Sequence, residues 1–451
     1  MMELAKFRDL VFARGRQAGF TDMEIFHQSS TNLSVTVYKG TVDKYNLADS
    51  GGYGFRGIFR DRVGYAYTEI LDHDSVEMLV TEALENAQVI ESEDLPIIFS
   101  GSDSYPEFDG YNPDLAQVTP EEKIELAKTM EAKAYALDSR VMVVNSCLVA
   151  SGEDYVQIEN NKGLNLSHRG NGAYCYLSVV VREGDDTKTF GRFATARDFA
   201  DLDANGLARE AVAEATGLLG AATVDSGDYP VILRWEAATT LLKTFSGLFS
   251  AENVQENISL LKGKLGQQIA TPAITIVDDP LLPQGLSSSP FDAEGVASRS
   301  KVVVDQGKLS TYLHNLKTAA KDGVESTGNA AKGSYKSNVV VAPTNMYIKP
   351  GSASLDDMAA SLERGIIVVD LQGAHSGANP VSGDFSLGAF GYLVEKGKIV
   401  RPVNQITIAG NFISMLLDVE KVGNDLNFGL PTGSMIGSPS LLIKKLAVAG
   451  K

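Results

Sequence analysis

The feature that most constrains this chain is the order in which its local signals recur. Leu4, Phe7, Leu10, Val11 and Ala18 share one helical face near the start. From Glu24 to Glu69 the texture changes to short β-rich runs, such as Leu33–Tyr38 and Gly64–Tyr67, parted by Gly and Asp turns. A second helix is predicted over about Asp74–Val89, with Val76, Leu79, Val80, Ala83 and Leu84 as its apolar stripe. An irregular Pro-, Ser-, Asp- and Gly-rich stretch follows, and then the same succession returns. Thr119-Pro-Glu-Glu122 starts a helix that runs to about Leu137: Thr caps, Pro fits the first position, and the acids complement the helix dipole. Strand-like runs come next at Val141–Asn145, Tyr155–Ile158, Ala173–Val181 and Thr187–Ala194, with a closing helix over about Ala204–Leu219. The pattern predicts two helix–sheet–helix units, residues 1–91 and 119–222, joined by a linker over 92–118.

Residues 223–451 read as a β-rich, Gly-rich domain. A helix is predicted over Trp235–Ser250, and a short second one near Asn257–Lys264. Val302–Tyr312 and Gly391–Val400 each read as a hairpin around a Gly-containing turn. No succession of buried parallel βαβ units is visible, so the fold class expected is α+β.

Composition narrows the partners. The formal net charge of −17 comes without any compact basic run. Nonspecific nucleic-acid affinity comes from Lys and Arg displacing counterions, so direct nucleic-acid binding is not expected. No apolar run approaches the roughly 18 residues that span a bilayer, and the start of the chain lacks a signal-peptide core. The two cysteines, Cys147 and Cys175, sit in strand-like runs far from C-x-x-C spacing and read as buried thiols of a cytoplasmic protein.

Single motifs carry little. Gly52-Tyr-Gly-Phe-Arg-Gly57 matches a dinucleotide fingerprint, but it leads into hairpin chemistry rather than a helix that could receive a pyrophosphate. Ser259-Leu-Leu-Lys262 has serine–lysine nucleophile spacing, a pattern that arises by chance and here reads as a surface lysine. The five histidines, His27, His73, His168, His314 and His375, are scattered beyond helical reach of one another, and none begins an H-E pair. The richest segment is Gly373–Ser386, where small residues surround His375, Asn379 and Asp384, so its backbone can approach a ligand or a neighbouring chain. A Ser–His–Asp triad drawing on Ser382 or Ser386 is conceivable, but only geometry can establish one.

Taken in order, the C-terminal motifs resemble the TldD/PmbA family, the modulators of DNA gyrase. They are Asp278–Pro283, Pro290–Gly295, Ser326–Ala330, His375–Asn379, Ser382–Ser386, Thr407–Asn411, Gly423–Leu426 and Gly437–Leu441. The Gly52–Gly57 hairpin is similar to the family's first domain. The resemblance implies an H-E-x-x-x-H helix and a later cysteine in the zinc-bearing, TldD-like branch. In this chain the corresponding positions hold Lys243, Thr244 and Leu248, and no cysteine follows Cys175. An ammonium, a hydroxyl and an isobutyl group neither bind Zn²⁺ in that geometry nor activate its water. The departure places the chain with the PmbA (TldE) branch, with no catalytic or metal residues and no cofactor of its own. The resemblance further implies a TldD-like partner carrying the zinc, and unfolded peptides, including those undergoing maturation, as substrates. His375, Ser376, Asn379, Ser382, Gly383, Asp384 and Phe385 are the candidates for peptide binding or the interface, with strand addition as the expected mode. The rival readings are a serine-type hydrolase and a homodimeric peptide-binding protein without activity.

Overall fold

Helix α1 (Leu4–Ala18) buries Phe7, Val11 and Phe12 and ends at Gly19, whose φ of 96° allows the left-handed cap. Three strands follow, β1 (Met23–Tyr38), β2 (Thr41–Phe59) and β3 (Arg62–Thr68), and then α2 (His73–Val89), capped by the Asp72 carboxylate. After a short α3 (Pro113–Gln117), α4 (Pro120–Leu137) begins with the full Thr119–Glu122 capping box. Strands β4 (Val141–Asn160), β5 (Asn165–Glu183) and β6 (Asp186–Ala196) precede α5 (Ala204–Gly217). The computed structural model describes residues 2–91, 94 and 96–451; Ser92, Glu93 and Leu95 of the expected linker lie outside the described residues.

The repeated order of elements is present, but the strands of both units belong to one sheet, ordered β3-β2-β1-β4-β5-β6. Strand β1 joins the halves. Ile25 and Met23 pack under α1 and α2, whereas Val35 and Val37, further along the same strand, belong to the core beneath α4 and α5. The β1–β2 turn is tied to the second half as well, since the amides of Lys39 and Gly40 donate to the buried Glu131 carboxylate of α4, both at 2.7 Å. The runs Val141–Asn145 and Tyr155–Ile158 turn out to be parts of the single strand β4. Polar residues between them remain in the ladder because β5 pairs along nearly all of β4 and β1 pairs with it from Leu148 to Asn160.

The C-terminal region is β-rich. Strand β7 (Gly227–Leu233) leads into α6 (Trp235–Phe245), a 3₁₀ turn over Ser246–Phe249, and α7 (Ala251–Gln255). Then come β8 (Ile276–Asp278), β9 (Lys301–Asp305), β10 (Lys308–Leu309), α8 (Leu316–Asp322), β11 (Ala330–Ala331), β12 (Val340–Val341), β13 (Asn345–Ile348) and α9 (Leu355–Ala360). The chain continues through β14 (Arg364–Gln372), α10 (Ala374–Gly377), β15 (Asp384–Glu395), β16 (Lys398–Asn411) and α11 (Phe412–Leu417). It finishes with β17 (Val419–Val422), β18 (Asn427–Phe428), β19 (Met435–Ser438) and β20 (Leu441–Ala449). Strands β16, β15, β14, β7 and β20 pair in that order, and β20 returns to β16, so the five close on themselves. Closure removes the sheet edges at that point. A second sheet, β10-β9-β8-β13-β19-β18, lies beside them, with α6 packed into the shared core. The fold is α+β. The helix expected near Asn257–Lys264 is a series of turns. Ser259 bonds the carbonyl of Leu248 and the amide of Leu261, which offers the backbone an alternative to a helical ladder.

Two buried ionic clusters hold the N-terminal sheet to the C-terminal region. Arg56 of β2 bridges Glu24 of β1 and Glu294, at 3.0 and 3.5 Å. Arg234 pairs with Glu214 of α5 and with Glu236 of α6, both at 2.7 Å, and Arg192 of β6 also bonds Glu236. Tyr392 of β15 completes the second cluster by donating to Glu214 at 2.8 Å.

Candidate functional site

Three places in the fold bear on function: helix α6, the segment His375–Phe385, and the helix-free face of the N-terminal sheet.

On α6 the three positions of interest diverge. Lys243 is exposed, and the Thr244 hydroxyl donates back to the carbonyl of Thr240 at 2.7 Å. Leu248 lies on the 3₁₀ turn beyond the helix end and is 1% exposed within the main core. These residues do not fit a zinc ion: the set offers no neutral nitrogen, thiolate or carboxylate, and one member faces away from solvent altogether. Among the described residues, no group of three or more His, Cys, Asp or Glu side chains could hold a metal.

The Gly-rich segment packs directly against this helix. Phe385 lies near Phe245 of α6, with ring centroids 6.3 Å apart, and Phe245 stacks on Phe412 at 4.9 Å. His375, Ser376, Asn379 and Asp384 are exposed, Ser382 is half-buried, and Gly383 and Phe385 are buried. These residues therefore do not form one surface. Asn379 accepts from the amides of Val381 and Ser382, and Asn411 donates to the Ser382 carbonyl and the Asp384 carboxylate. Hydrogen bonds from Asn411 and Ser382 hold the Asp384 carboxyl below its usual range. No hydrogen bond links the His375 imidazole to Asp384, Ser382 or Ser386, so a triad is not assembled. The backbone of Asp384–Ser386 pairs with β16 on one side, and Phe385 bridges Ala378 on the other. That leaves no free ladder for strand addition there. An unpaired edge exists instead on β2, where β3 covers only Tyr53–Phe59 and Thr41–Ser50 are exposed, Val42, Tyr45 and Leu47 among them.

The helix-free face of the sheet carries Glu24, Phe26 and Gln28 of β1 opposite Arg56, Gly54 and Gly52 of β2. The glycines that mimic a dinucleotide fingerprint have a different use. Gly52 lies under the ring of Tyr335, and a Cβ on Gly54 would stand 2.6 Å from the Tyr335 carbonyl. Glycine is needed here for close approach of the C-terminal chain. The strand then turns at Arg60 and Asp61, with φ of 48° and 59°, the geometry of a tight hairpin.

Beneath this contact lie hollows of about 220 and 560 Å³ that share Gln28, Val156, His168, Ser287, Lys332 and Gly433 as walls. A third, of about 300 Å³, is lined by Arg56, Tyr65, Glu294 and again Lys332. Burial, with Arg56 nearby, lowers the Lys332 pKa to about 8. Burial and Glu294 push Asp292 up to about 7, although its oxygens accept from the amides of Glu294, Val296 and Ala330. Lys332, Gln28 and Glu24 were not foreseen from sequence; the available signals were Arg56 inside the glycine motif and Glu294 inside Pro290–Gly295.

Comparison with known proteins accounts for this combination of parts. Residues 23–87 match PmbA/TldA metallopeptidase domain 1, residues 113–219 its central domain, and residues 226–450 its C-terminal domain. A modulator of a DNA gyrase from Thermotoga maritima is 34% identical, with a TM-score of 0.91 over 99% of this chain and 100% of that one. The chain belongs to the PmbA/TldD metallopeptidase family. Among its relatives, metalloprotease PmbA of Escherichia coli O157:H7 is 28% identical over 100% of this chain and 96% of its own. A metalloprotease TldD homolog of Haemophilus influenzae is 29% identical over 95% and 92%. Overall identity does not separate PmbA-like from TldD-like members, since relatives of both names match the chain equally well. Three residues of the ordered family motifs serve the scaffold. Asp278 accepts from Asn329 at 2.7 Å beside Lys301, Asp425 accepts from Ser440, and Asn411 caps α11. Cys147 and Cys175 are buried and free, and burial pushes their thiols up to about 12 and 11. No helix among the described residues is long and apolar enough to cross a membrane.

Proposed function

We propose that this PmbA/TldD-family chain is the noncatalytic subunit of a cytoplasmic metalloprotease complex that processes or degrades unfolded peptides. The zinc site resides in a TldD-like partner. The observation that supports the reading is α6: the positions that the resemblance aligns with the family's peptidase motif hold an exposed Lys243, a back-bonded Thr244 and a buried Leu248. Without ligands for Zn²⁺ there is no Lewis acid and no activated water at that helix. The chain's part is to wall the chamber and hold substrate. The exposed side chains of His375, Ser376, Asn379 and Asp384 contact peptide or partner, while Ser382, Gly383 and Phe385 shape the turn that presents them. Extended peptide adds along the open edge of β2.

The test is a reconstitution. The purified chain, a zinc-loaded TldD-like subunit from the same cell, and their mixture are assayed against an unfolded peptide, with and without chelator. The chain alone is expected to be inactive, and the mixture to show chelator-sensitive cleavage above that of the partner alone. Robust chelator-resistant cleavage by the isolated chain would reject the proposal in favour of an independent hydrolase. Recovery from cells only as a homodimer would reject the obligate partner.

A further inference from the structure

We infer that Lys332 and Gln28 form a subsite for a peptide carboxylate on the helix-free face of the N-terminal sheet. The inference rests on the peptide-handling part of the function proposed above. Lys332 follows β11, and its ammonium lies 4.4 Å from the ring centroid of Phe26 and 5.0 Å from that of Tyr65. The aromatic faces stabilise the charge, but the buried Nζ has no hydrogen-bond acceptor. Gln28, two residues beyond Phe26 on the same face, likewise buries an Oε1 that receives no donor. Buried polar groups are normally satisfied, and leaving one unmatched costs about 1–3 kcal/mol. Here a donor and an acceptor are both unmatched, and both line the same two hollows.

The charge balance selects an anion. Arg56 is already matched by Glu24 and Glu294, and the nearby Asp292 carboxylate is taken up by three backbone amides. Lys332 lines both hollows with no hydrogen-bonded counter-charge among the described residues; on the larger hollow Arg197 bonds only the carbonyls of Gly110, Asn171 and Gly285, and Asp154 is the carboxylate on that wall. A carboxylate oxygen accepts from its ammonium, and an amide N–H of the same ligand satisfies Gln28. The last residue of a peptide holds its amide nitrogen two bonds from the carboxylate carbon, whereas in an acidic side chain the carboxylate stands one or two bonds further from the backbone amide. The larger hollow, about 560 Å³, falls in the range of small-ligand pockets.

The experiment measures binding of a fluorescent unfolded peptide to the isolated chain by anisotropy. The peptide is used in three forms: free C-terminus, C-terminal amide, and the amide with one glutamate near its end. The free acid is expected to bind at least about tenfold more tightly than the amide, as a charge-assisted hydrogen bond implies. Lys332→Met is expected to erase that preference, and Gln28→Leu to weaken it. Equal binding of acid and amide by the unmodified chain overturns the subsite, and this comparison needs no variant to fold. No binding of any form, with only water in the hollow, overturns it too. Full affinity for the glutamate-bearing amide overturns the C-terminal assignment in favour of an acidic side chain. The function proposed above fails separately, through loss of cleavage by the reconstituted complex; cleavage of acid and amide alike would leave it standing without the subsite.

Discussion

Replacing Arg56 with methionine removes the guanidinium that lies between Glu24 and Glu294. Their side chains are only 1% and 5% exposed, against 11% for Arg56. Taking one partner from a buried ion pair leaves charge without compensation and costs about 3–5 kcal/mol. If the 451-residue chain unfolds as one cooperative unit, its unfolding entropy is about 0.9 kcal/mol per degree, and the midpoint falls by about 3–5 °C. If the first unit opens alone, the same energy shifts that transition several times further. Differential scanning calorimetry separates the two cases by the number and area of the transitions. The triple variant Glu24→Gln, Arg56→Met, Glu294→Gln is expected to recover at least half of the loss, because it removes the stranded charges and keeps an acceptor for the Leu316 amide that Glu294 now receives at 2.9 Å. The sign of the pH effect also follows. Burial already raises the Glu294 pKa above its ordinary value, Arg56 opposing it, and removing Arg56 raises it further. A carboxyl with a raised folded-state pKa loses stability as pH rises above its unfolded value of about 4.3. The deficit of Arg56→Met is therefore smaller near pH 5 than near pH 8. A midpoint shift below about 1 °C, or a triple variant no more stable than the single one, would refute the reasoning.

Gly54→Ala sets a Cβ against the Tyr335 carbonyl and the Tyr65 hydroxyl, and is expected to cost about 1–3 kcal/mol; Gly227→Ala, whose nearest neighbour is the Tyr229 ring at 3.8 Å, serves as the thermal-shift control and changes little. Cys147 and Cys175, buried and with thiols held protonated, are expected to resist iodoacetamide at pH 8 in the native protein and to react after unfolding, as mass spectrometry will show. Installing the peptidase motif through Lys243→His, Thr244→Glu and Leu248→His is expected to destabilise the protein by about 2–5 kcal/mol, since Leu248 is a core residue. Equilibrium dialysis should then find no stoichiometric zinc; tight binding of one zinc ion would contradict the geometry described for α6.

The elements that sequence resolved are those whose chemistry is local. The Thr119–Glu122 box and the hairpins at Arg60–Asp61 and Lys396–Gly397 are decided within a few residues, by hydrogen bonds and φ preferences that hold whatever the chain later packs against. The missing zinc ligands are equally a matter of sequence, because an ammonium and an isobutyl group lack the donor chemistry in any fold. Tertiary structure decided the rest. A period of two shows that a strand has two faces, but not which neighbour pairs with it. Hence only the fold reveals that β1 serves both units, that Asp384–Ser386 is already paired, and that Asn257–Lys264 is not helical. The placement of Lys332 has the same origin. Its own segment is small and polar, and its burial comes from Phe26 and Tyr65, hundreds of residues away in the chain. Desolvation and ion pairing depend on such distant neighbours, which no local window of sequence contains.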